Sequence, residues 1–256
     1  MGRDSKKANE RHEEILRVLN HREMVTITEF REMFQCSEAT IRNDFTALEK
    51  KGMLIRVHGG VKNAISTPAI TMEKRRVSYL DRKEKIARYV VENIIKERTA
   101  VILDAGTTTF EVAMQLAKEE IPITVLTNSL PIATVIASTS NIELLLFGGD
   151  YDKRRYACYN DHIGNVRADL FLMGINGINP DVGITIASKI EASTKLSFIS
   201  RASRTIALGD SSKLGNNGLW VVDGLEKVKE VVTDCEADKG KVELFREKGV
   251  YVHLAD

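Results

Sequence analysis

The segment QCSEATIRNDFTALEKKGMLIRVHGG, residues 35–60, sets the structure of the first part of the chain. It opens with polar residues, continues with helical periodicity, and ends in a short alternating stretch with two glycines. Ser37 is a favourable N-cap for a helix, and Gly52 is a favourable C-terminal stop. The alternation of apolar and polar residues around Gly59 and Gly60 predicts a small hairpin.

Two further helices are predicted before this segment. Apolar residues at helical spacing within residues 10–20 predict the first one. Thr26 and Glu29 have the spacing of a capping box, which predicts a second helix that runs to about Phe34. Three short helices followed by a hairpin are the pattern of a winged helix-turn-helix domain.

The third predicted helix has an apolar side and a polar side. At about 100° per residue, Ile41, Phe45 and Leu48 fall together and should face a core. The opposite side is narrow, polar and free of acids, as a helix in the major groove of DNA requires. Together with the hairpin it gives these candidate DNA-binding residues: Ser37, Thr40, Arg42, Asn43, Thr46, Lys50, Arg56 and His58. A solvated face or a protein-contact surface would have the same periodicity.

Composition limits the class of protein. The chain has 256 residues, of which 43% are hydrophobic and 29% are charged, as is typical of a soluble globular protein. No apolar run approaches the ~20 residues that cross a bilayer, so no membrane partner is expected. The three cysteines are isolated, which predicts neither a disulfide framework nor a zinc site and favours the cytoplasm. With a net charge of +1, DNA binding must rest on local arrangement.

The chain should divide into two domains. Residues 1–62 hold the winged helix-turn-helix pattern, and residues 63–80 form a polar linker that contains Pro68. A helix should follow, from about Glu73 or Asp81 to Lys96. In residues 81–256, six apolar runs end in small or polar residues, and helical stretches separate several of them. This alternation predicts an α/β domain with a mostly parallel sheet.

One strand-to-helix turn in the second domain has the chemistry of an anion site. In ILDAGTTTFEVAMQL, residues 102–116, Thr107, Thr108 and Thr109 supply hydroxyls, and Gly106 exposes backbone N–H groups at a helix N-terminus. Neither a Walker A loop nor a dinucleotide-binding glycine pattern is present, so a small phosphorylated ligand is favoured over a nucleotide. An ordinary tight turn has the same composition.

Other strand ends should converge on this turn, because ligands of such sheets bind beyond the carboxyl ends of the strands. These ends carry residues 127–129, 148–149, 174–177 and 210–213. Lys213 can supply positive charge to a phosphate. Glu191 and Lys195 lie one turn apart on a helix and can also be an ordinary i, i+4 ion pair.

The opening segment resembles the N-terminal signature of the DeoR family of bacterial transcription regulators. It has in common with that signature Ser37, Thr40, Ile41, Arg42, Asp44, Leu48, Glu49, Gly52, Arg56, His58, Gly59 and Gly60. It departs from the signature at Cys36, where valine is usual, at Asn43, where a second arginine is usual, and at Phe45, where leucine is usual. The change at Asn43 bears on the operator sequence rather than on DNA binding.

The resemblance continues through most of the chain. Short motifs of the family recur in order at residues 104–108, 127–128, 148–149, 169–178 and 210–213. It implies a sensor domain for a phosphorylated sugar, with a fold similar to ribose-5-phosphate isomerase. The effector-binding residues that follow are Asp104, Gly106, Thr107, Thr108, Thr109, Thr127, Asn128, Gly148, Gly149, Gly177, Lys195 and Lys213. Asp152 and Asn160 stand where the family has arginine and glycine, so contacts there are not carried over.

The sequence therefore predicts a transcription regulator, most simply a repressor of a sugar-catabolism operon that a sugar phosphate releases from double-stranded DNA. One small DNA-binding domain buries too little surface for strong binding, so a homodimer or tetramer is expected. No cofactor or metal is expected. The rival is an isomerase, which needs carboxylates in one loop, and the corresponding MGINGINPDVG holds only Asp181. A helix-turn-helix used only for protein assembly does not explain the acid-free face.

Overall fold

The computed structural model describes two compact units, Met1–Ile70 and Thr71–Asp256. Described within them are Arg11, His12, Glu14, Ile15, Val18, Leu19 and residues 24–50, 54–57, 60–63, 72–119, 121–160 and 164–256, with the backbone alone for residues 62–63 and 72–74. The boundary between the units falls inside the segment predicted to be the linker.

The first unit contains the predicted helices and hairpin. The described residues between 11 and 19 are helical, and α1 (Ile27–Phe34), α2 (Glu38–Lys50), β1 (Leu54–Val57) and β2 (Gly60–Asn63) follow. The capping box of α1 is confirmed, because the Glu29 N–H donates to Thr26 Oγ1 and the Thr26 N–H donates to the Glu29 carboxylate. The Thr40 N–H donates to Ser37 Oγ at 3.2 Å, so Ser37 caps α2 as predicted.

The apolar side of α2 faces the core of this unit. Ile41, Phe45 and Leu48 are buried, as the periodicity predicts. Phe45 meets the ring of Phe30 from α1 edge-on, with ring centroids 5.6 Å apart. An edge-to-face aromatic pair of this kind adds about 0.5–1.5 kcal/mol beyond the burial of its area, so it helps to fix the angle between the two helices.

A buried acid on α2, Asp44, binds the N-terminal helical residues of this unit. Asp44 is 5% exposed and accepts two hydrogen bonds from the Arg11 guanidinium, at 2.6 and 3.0 Å. His12 Nε2 lies 3.0 Å from the same carboxylate. Because these partners lie 33 and 32 residues away along the chain, the contact holds the N-terminal helical residues against α2.

The hairpin carries a third extended segment. Val25 exchanges two backbone hydrogen bonds with Val61 of β2, at 3.0 and 2.9 Å. A Cβ on Gly60 would lie 2.5 Å from the Val25 carbonyl oxygen, which is closer than real contacts allow. Gly60 is therefore required by the approach of a neighbouring strand.

The second unit is built on a seven-stranded sheet in the order β14-β13-β11-β8-β3-β4-β5, with every neighbouring pair parallel. Its strands are β3 (Ala100–Leu103), β4 (Ile123–Thr127), β5 (Ile142–Leu146), β8 (Ala168–Gly174), β11 (Ala202–Leu208), β13 (Glu230–Asp234) and β14 (Tyr251–Ala255). The six apolar runs are strands of this sheet, so the predicted parallel sheet is confirmed, and β14 adds an unpredicted edge.

Helices cover the sheet, and shorter strands form separate antiparallel groups outside it. The helices are α3 (Met72–Val77), α4 (Leu80–Asn93), α5 (Thr107–Glu119), α6 (Leu130–Ile136), α7 (Lys189–Ile199) and α8 (Lys239–Glu247). Short strands form the hairpin β6 (Asp150–Asp152) and β7 (Ala157–Tyr159), and the sheet β9 (Gly177–Asn179), β10 (Gly183–Ile186) and β12 (Trp220–Asp223). Val101 and Leu103 belong to one apolar cluster and Ile102 to another, so the sheet is buried on both faces.

The predicted linker is partly helical. Residues 64–71 lie outside the described part of the chain, but α3 forms within the segment 63–80 and packs on α5 of the second unit. Among the described residues, no helix combines the length and the apolarity that a membrane span needs.

Candidate functional site

The exposed side of α2 is the first candidate site. Ala39, Asn43, Thr46 and Lys50 are all exposed along it, opposite the buried apolar side. The helix begins at its Ser37 cap, where the hydroxyl of Thr40 lies 2.9 Å from that of Ser37. A narrow polar face with an amide at its centre can present donors and acceptors to base edges.

Acids flank this face and pair with its arginines. Arg42 donates from Nε and Nη2 to Glu38 Oε1, at 2.9 and 2.7 Å. Arg56 reaches from β1 to the Thr46 hydroxyl at 2.6 Å and pairs with Glu49 at 3.0 Å. The outer positions are acid-free as predicted. To hold a DNA phosphate, Arg42 and Arg56 would each have to release its carboxylate partner. His58, also in the predicted set, lies outside the described residues.

The second candidate site lies where β3 and β8 end. Asp104 follows β3 and is 3% exposed, and its Oδ1 accepts the Gly174 N–H at 3.1 Å. The Thr109 hydroxyl lies 2.7 Å from the Asp104 carbonyl oxygen and accepts the Gly106 N–H at 3.0 Å. Thr109 therefore closes the loop from inside, and a Cβ on Gly106 would lie 2.9 Å from the Thr109 hydroxyl oxygen.

The helix that follows this loop supplies the anion-binding geometry. α5 begins at Thr107 and has no acid in its first turn. Its first N–H groups have no partner within the helix, so they and the helix dipole favour a negative charge there. Thr107 is half-buried and Thr108 is buried. The Thr107 hydroxyl is thus the more accessible of the two.

Lys195 belongs to this loop rather than to an ion pair on its own helix. Its Nζ makes a very short contact with Asp104 Oδ2 and donates to the Gly174 carbonyl at 2.8 Å. Glu191 instead pairs with Arg155 at 2.9 Å. The i, i+4 pair that the spacing allowed is not formed, and Lys195 balances the charge of Asp104.

Lys213 lies at the end of β11 in a 3₁₀ turn, Ser211–Lys213. Its ammonium is 3.8 Å from Asp210 Oδ2. Asp210 is 1% exposed, and among the described residues no hydrogen-bond donor reaches this Oδ2 atom. The side chain of Lys213 is 30% exposed, so it has a loose acidic partner and access to solvent.

The remaining predicted residues divide into two groups. Asn128 and Gly148 line a cavity of about 330 Å³ beyond β4 and β5. Among the described residues, Asn128 Oδ1 has no partner, and its amide donates to the Cys158 carbonyl at 3.1 Å. Thr127 and Gly177 have local roles, since the Thr127 hydroxyl accepts the Ser129 N–H and a Cβ on Gly177 would lie 2.3 Å from a backbone oxygen.

The motif pattern is broken at Asp152, in the hairpin β6–β7, and at Asn160, directly after it. Gly149 has φ +129°, and a Cβ there would strike the Tyr159 carbonyl. Arg155 donates to Asp152 at 2.5 Å and also pairs with Glu191 of α7. Burial raises the pKa of Asp152, but hydrogen bonds from the Arg154 N–H and from Arg155 outweigh it and lower that pKa below its ordinary value. Sequence reasoning missed Arg155; its only signal was the run of basic residues in KRR.

Both units of the chain match known protein families. The family model of the DeoR C terminal sensor domain matches residues 78–235, and that of the DeoR-like helix-turn-helix domain matches residues 11–67. The chain belongs to the DeoR family. Both halves of the family pattern are present, in the order that the sequence predicted.

Relatives of this DeoR-family chain are similar over almost their full length. The glycerol-3-phosphate regulon repressor of Escherichia coli K12 is 27% identical, over 97% of this chain and 99% of its own. The transcriptional repressor GlcR of Bacillus subtilis is 30% identical, over 92% of each chain. Ribose 5-phosphate isomerase A from Methanocaldococcus jannaschii is a solved structure similar to 53% of this chain and 55% of its own, at 16% identity and a TM-score of 0.40.

Proposed function

We propose that this chain is a transcription repressor of a sugar-catabolism operon that releases its operator when a sugar phosphate binds the second unit. The observation that carries the proposal is the exposed polar face of α2, over a buried core, in the same chain as a strand-to-helix turn whose helix, α5, has no acid in its first turn. The relatives named as repressors match both units, which supports the assignment.

Operator contacts are assigned to α2 and the hairpin. Asn43 would read a base edge, because its amide is exposed at the centre of the face and pairs bidentately with adenine. Ser37, Thr40, Arg42 and Lys50 would hold phosphates at either end of the helix. Arg56, bonded to Thr46, would bring the hairpin to the adjoining backbone.

The phosphate of the effector is assigned to the first turn of α5. Gly106, Thr107 and Thr108 offer N–H groups and hydroxyls beside a helix dipole. Lys213 supplies the cation, because Asp104 already neutralises Lys195. A neutral sugar would leave this charge-assisted binding unused, so phosphorylation should decide affinity.

Two or more copies should act on one operator. A single module of this size buries only ~600–1,000 Å² on DNA, and specific binding of such modules commonly uses paired half-sites. A homodimer or tetramer is therefore proposed, with the second unit as the site of assembly.

Regulation is favoured over catalysis. Asp181, the one acid in the stretch MGINGINPDVG, has a side chain that is 82% exposed and pairs with Lys248 at 3.2 Å. Proton transfer between sugar carbons needs a carboxylate held near the substrate, which an exposed, surface-paired Asp181 does not provide. Incubation of the protein with pentose and hexose phosphates should give no isomerised product.

The test is a titration of the operator by fluorescence anisotropy at fixed salt, with a panel of pentose and hexose phosphates and the parent sugars. At least one phosphate should weaken operator binding by about 5–150-fold, the range of a typical coupling energy, and its parent sugar should have no effect. The variant Lys213→Ala and the double variant Thr107→Ala/Thr108→Ala should bind operator but lose the response.

The matched control is Lys248→Ala, which removes an exposed lysine of the same unit that is paired with Asp181. It should respond as the wild type does. A normal response in Lys213→Ala would show that the phosphate site is elsewhere. Equal potency of free sugars and their phosphates would disprove the role given to the phosphate.

A further inference from the structure

Helix α3 is fastened to the helix that carries the proposed phosphate loop. The Arg76 guanidinium lies over the ring of Phe110, 4.3 Å from its centroid. Its Nε lies 3.0 Å from Glu111 Oε1. Phe110 and Glu111 are both buried, and they follow directly after Thr107–Thr109 in α5. Any displacement of the first turn of α5 therefore acts on the side chain of Arg76.

A buried lysine holds the far end of α3. Lys83, on α4, is 3% exposed, and its Nζ donates to the carbonyls of Arg75 and Ser78, each at 2.5 Å. Burial lowers the pKa of Lys83 below its ordinary value, and the charge of Asp210 opposes this effect. An ammonium at a helix C-terminus satisfies carbonyls that the helix itself leaves unpaired, so Lys83 is a C-terminal cap supplied from another helix.

The start of α4 also touches the second proposed effector loop. Arg82 donates to the Ser211 hydroxyl at 2.9 Å and pairs with Glu236 at 2.5 Å. Ser211 is the first residue of the turn that ends at Lys213. The segment 72–83 thus contacts α5, just beyond Thr109, through Arg76, and the turn after β11 through Arg82.

This segment is also the part of the second unit that comes first in the chain after the DNA-binding unit. We propose that α3 is the element through which the effector site, at the first turn of α5 and Lys213, controls operator binding. Arg76 and Lys83 are its positioning residues. The inference rests on the proposed function and adds its route of regulation.

The physical reason is a competition for charge. A phosphate with about two negative charges that binds at α5 and Lys213 enters a network of Glu111, Asp210, Arg76 and Lys83 whose charges are now balanced by each other. The phosphate attracts the cations and repels Glu111. The position of α3 that is most stable without effector is therefore not the most stable one when effector is bound. A ligand shifts an equilibrium only through such a difference between two states.

The test uses the full-length protein and the variant Arg76→Gln, which removes the charge and the guanidinium but keeps the apolar stem and a polar amide. Operator affinity is measured by anisotropy without and with the sugar phosphate of the panel that releases the wild type. Binding of that sugar phosphate is measured by calorimetry, to the free protein and to its operator complex. One ratio compares operator affinity without and with effector, and the other compares effector affinity of the free protein and of the operator complex. Coupling is reciprocal, so both ratios should agree at about 5–150-fold in the wild type.

In Arg76→Gln both ratios should fall below about twofold, a loss of most of the coupling free energy. Operator affinity without effector and effector affinity of the free protein should stay within about threefold of wild type. Lys83→Met should behave in the same way if it folds, and Arg76→Gln keeps the test decisive if it does not. The matched control is Arg246→Gln, which removes another exposed arginine that is paired with a nearby acid, Glu243, and should keep both ratios.

Two results would overturn the inference. One is a wild-type ratio in Arg76→Gln. The other is loss of effector binding to the free, folded variant, because Arg76 would then belong to the binding site and not to the route out of it. If no phosphate releases the wild type, the proposed function fails in the wild-type arm, and the inference fails with it.

Discussion

Removal of the charge on Lys195 tests whether its buried ion pair with Asp104 stabilises the loop after β3. Lys195→Met keeps an unbranched apolar stem, but the ammonium that contacts Asp104 and the Gly174 carbonyl is lost. Asp104, 3% exposed, would keep only the Gly174 N–H at 3.1 Å and the Thr109 hydroxyl at 3.3 Å. A buried carboxylate would then lack its counter-ion.

The expected cost follows from that burial. Breaking a buried ion pair from one side costs about 3–5 kcal/mol in the free energy of unfolding. Asp104 would keep the hydrogen bonds from the Gly174 N–H and the Thr109 hydroxyl, so the low end, about 3 kcal/mol, is expected. At about 2–4 °C per kcal/mol for a unit of this size, the melting temperature should fall by about 6–12 °C.

The assay is denaturant unfolding followed by the fluorescence of Trp220, the single tryptophan, which lies in the second unit. The double variant Asp104→Asn/Lys195→Met removes both charges and keeps an acceptor for the Gly174 N–H, so it should recover much of the loss. A loss below about 1 kcal/mol in Lys195→Met, or a double variant that loses the sum of the two single changes, would refute the buried pair.

Three further predictions concern the first unit and the segment after it. Asn43→Ala should leave folding intact and cost ~1–3 kcal/mol at one operator position, whereas Arg42→Ala should weaken binding evenly across sequences, as competition titrations with single-base operator variants would reveal. Gly60→Ala should destabilise the first unit by about 1–3 kcal/mol in thermal unfolding, because its Cβ would lie 2.5 Å from the Val25 carbonyl. Limited proteolysis should cut between about residues 63 and 80 and leave a stable fragment that binds effector but not operator; a resistant full-length chain would contradict this.

Local sequence patterns were enough to predict the first unit. The capping box at Thr26 and Glu29, the cap at Ser37 and the apolar side of α2 each depend on residues within one or two turns of each other. The Asp44 clamp could not be predicted in this way, because Asp44 and Arg11 are 33 residues apart and neither has a distinctive neighbour.

The second unit shows the same division. Apolar runs predicted six strands of the sheet, since parallel strands buried on both faces are almost uniformly apolar. The partner of Lys195 was missed because Asp104 is 91 residues away, whereas Glu191 is one turn away. Helix α3 was not separated from the linker, because six residues are too few for a periodic pattern and the following helix could begin at Glu73 or at Asp81. Its stability comes from Arg76 and Lys83.

The clamp on Asp44 has a consequence for how new operator specificities could arise. Its carboxylate fixes the rotation of α2 from the buried side, through Arg11 and His12, and makes no use of the exposed residues that would face DNA. The position of the helix and the identity of its outward side chains are therefore set by separate groups of residues. If Asn43 reads a base edge as proposed, exchanges at Asn43 should change which bases are preferred while the residues that orient the helix stay the same.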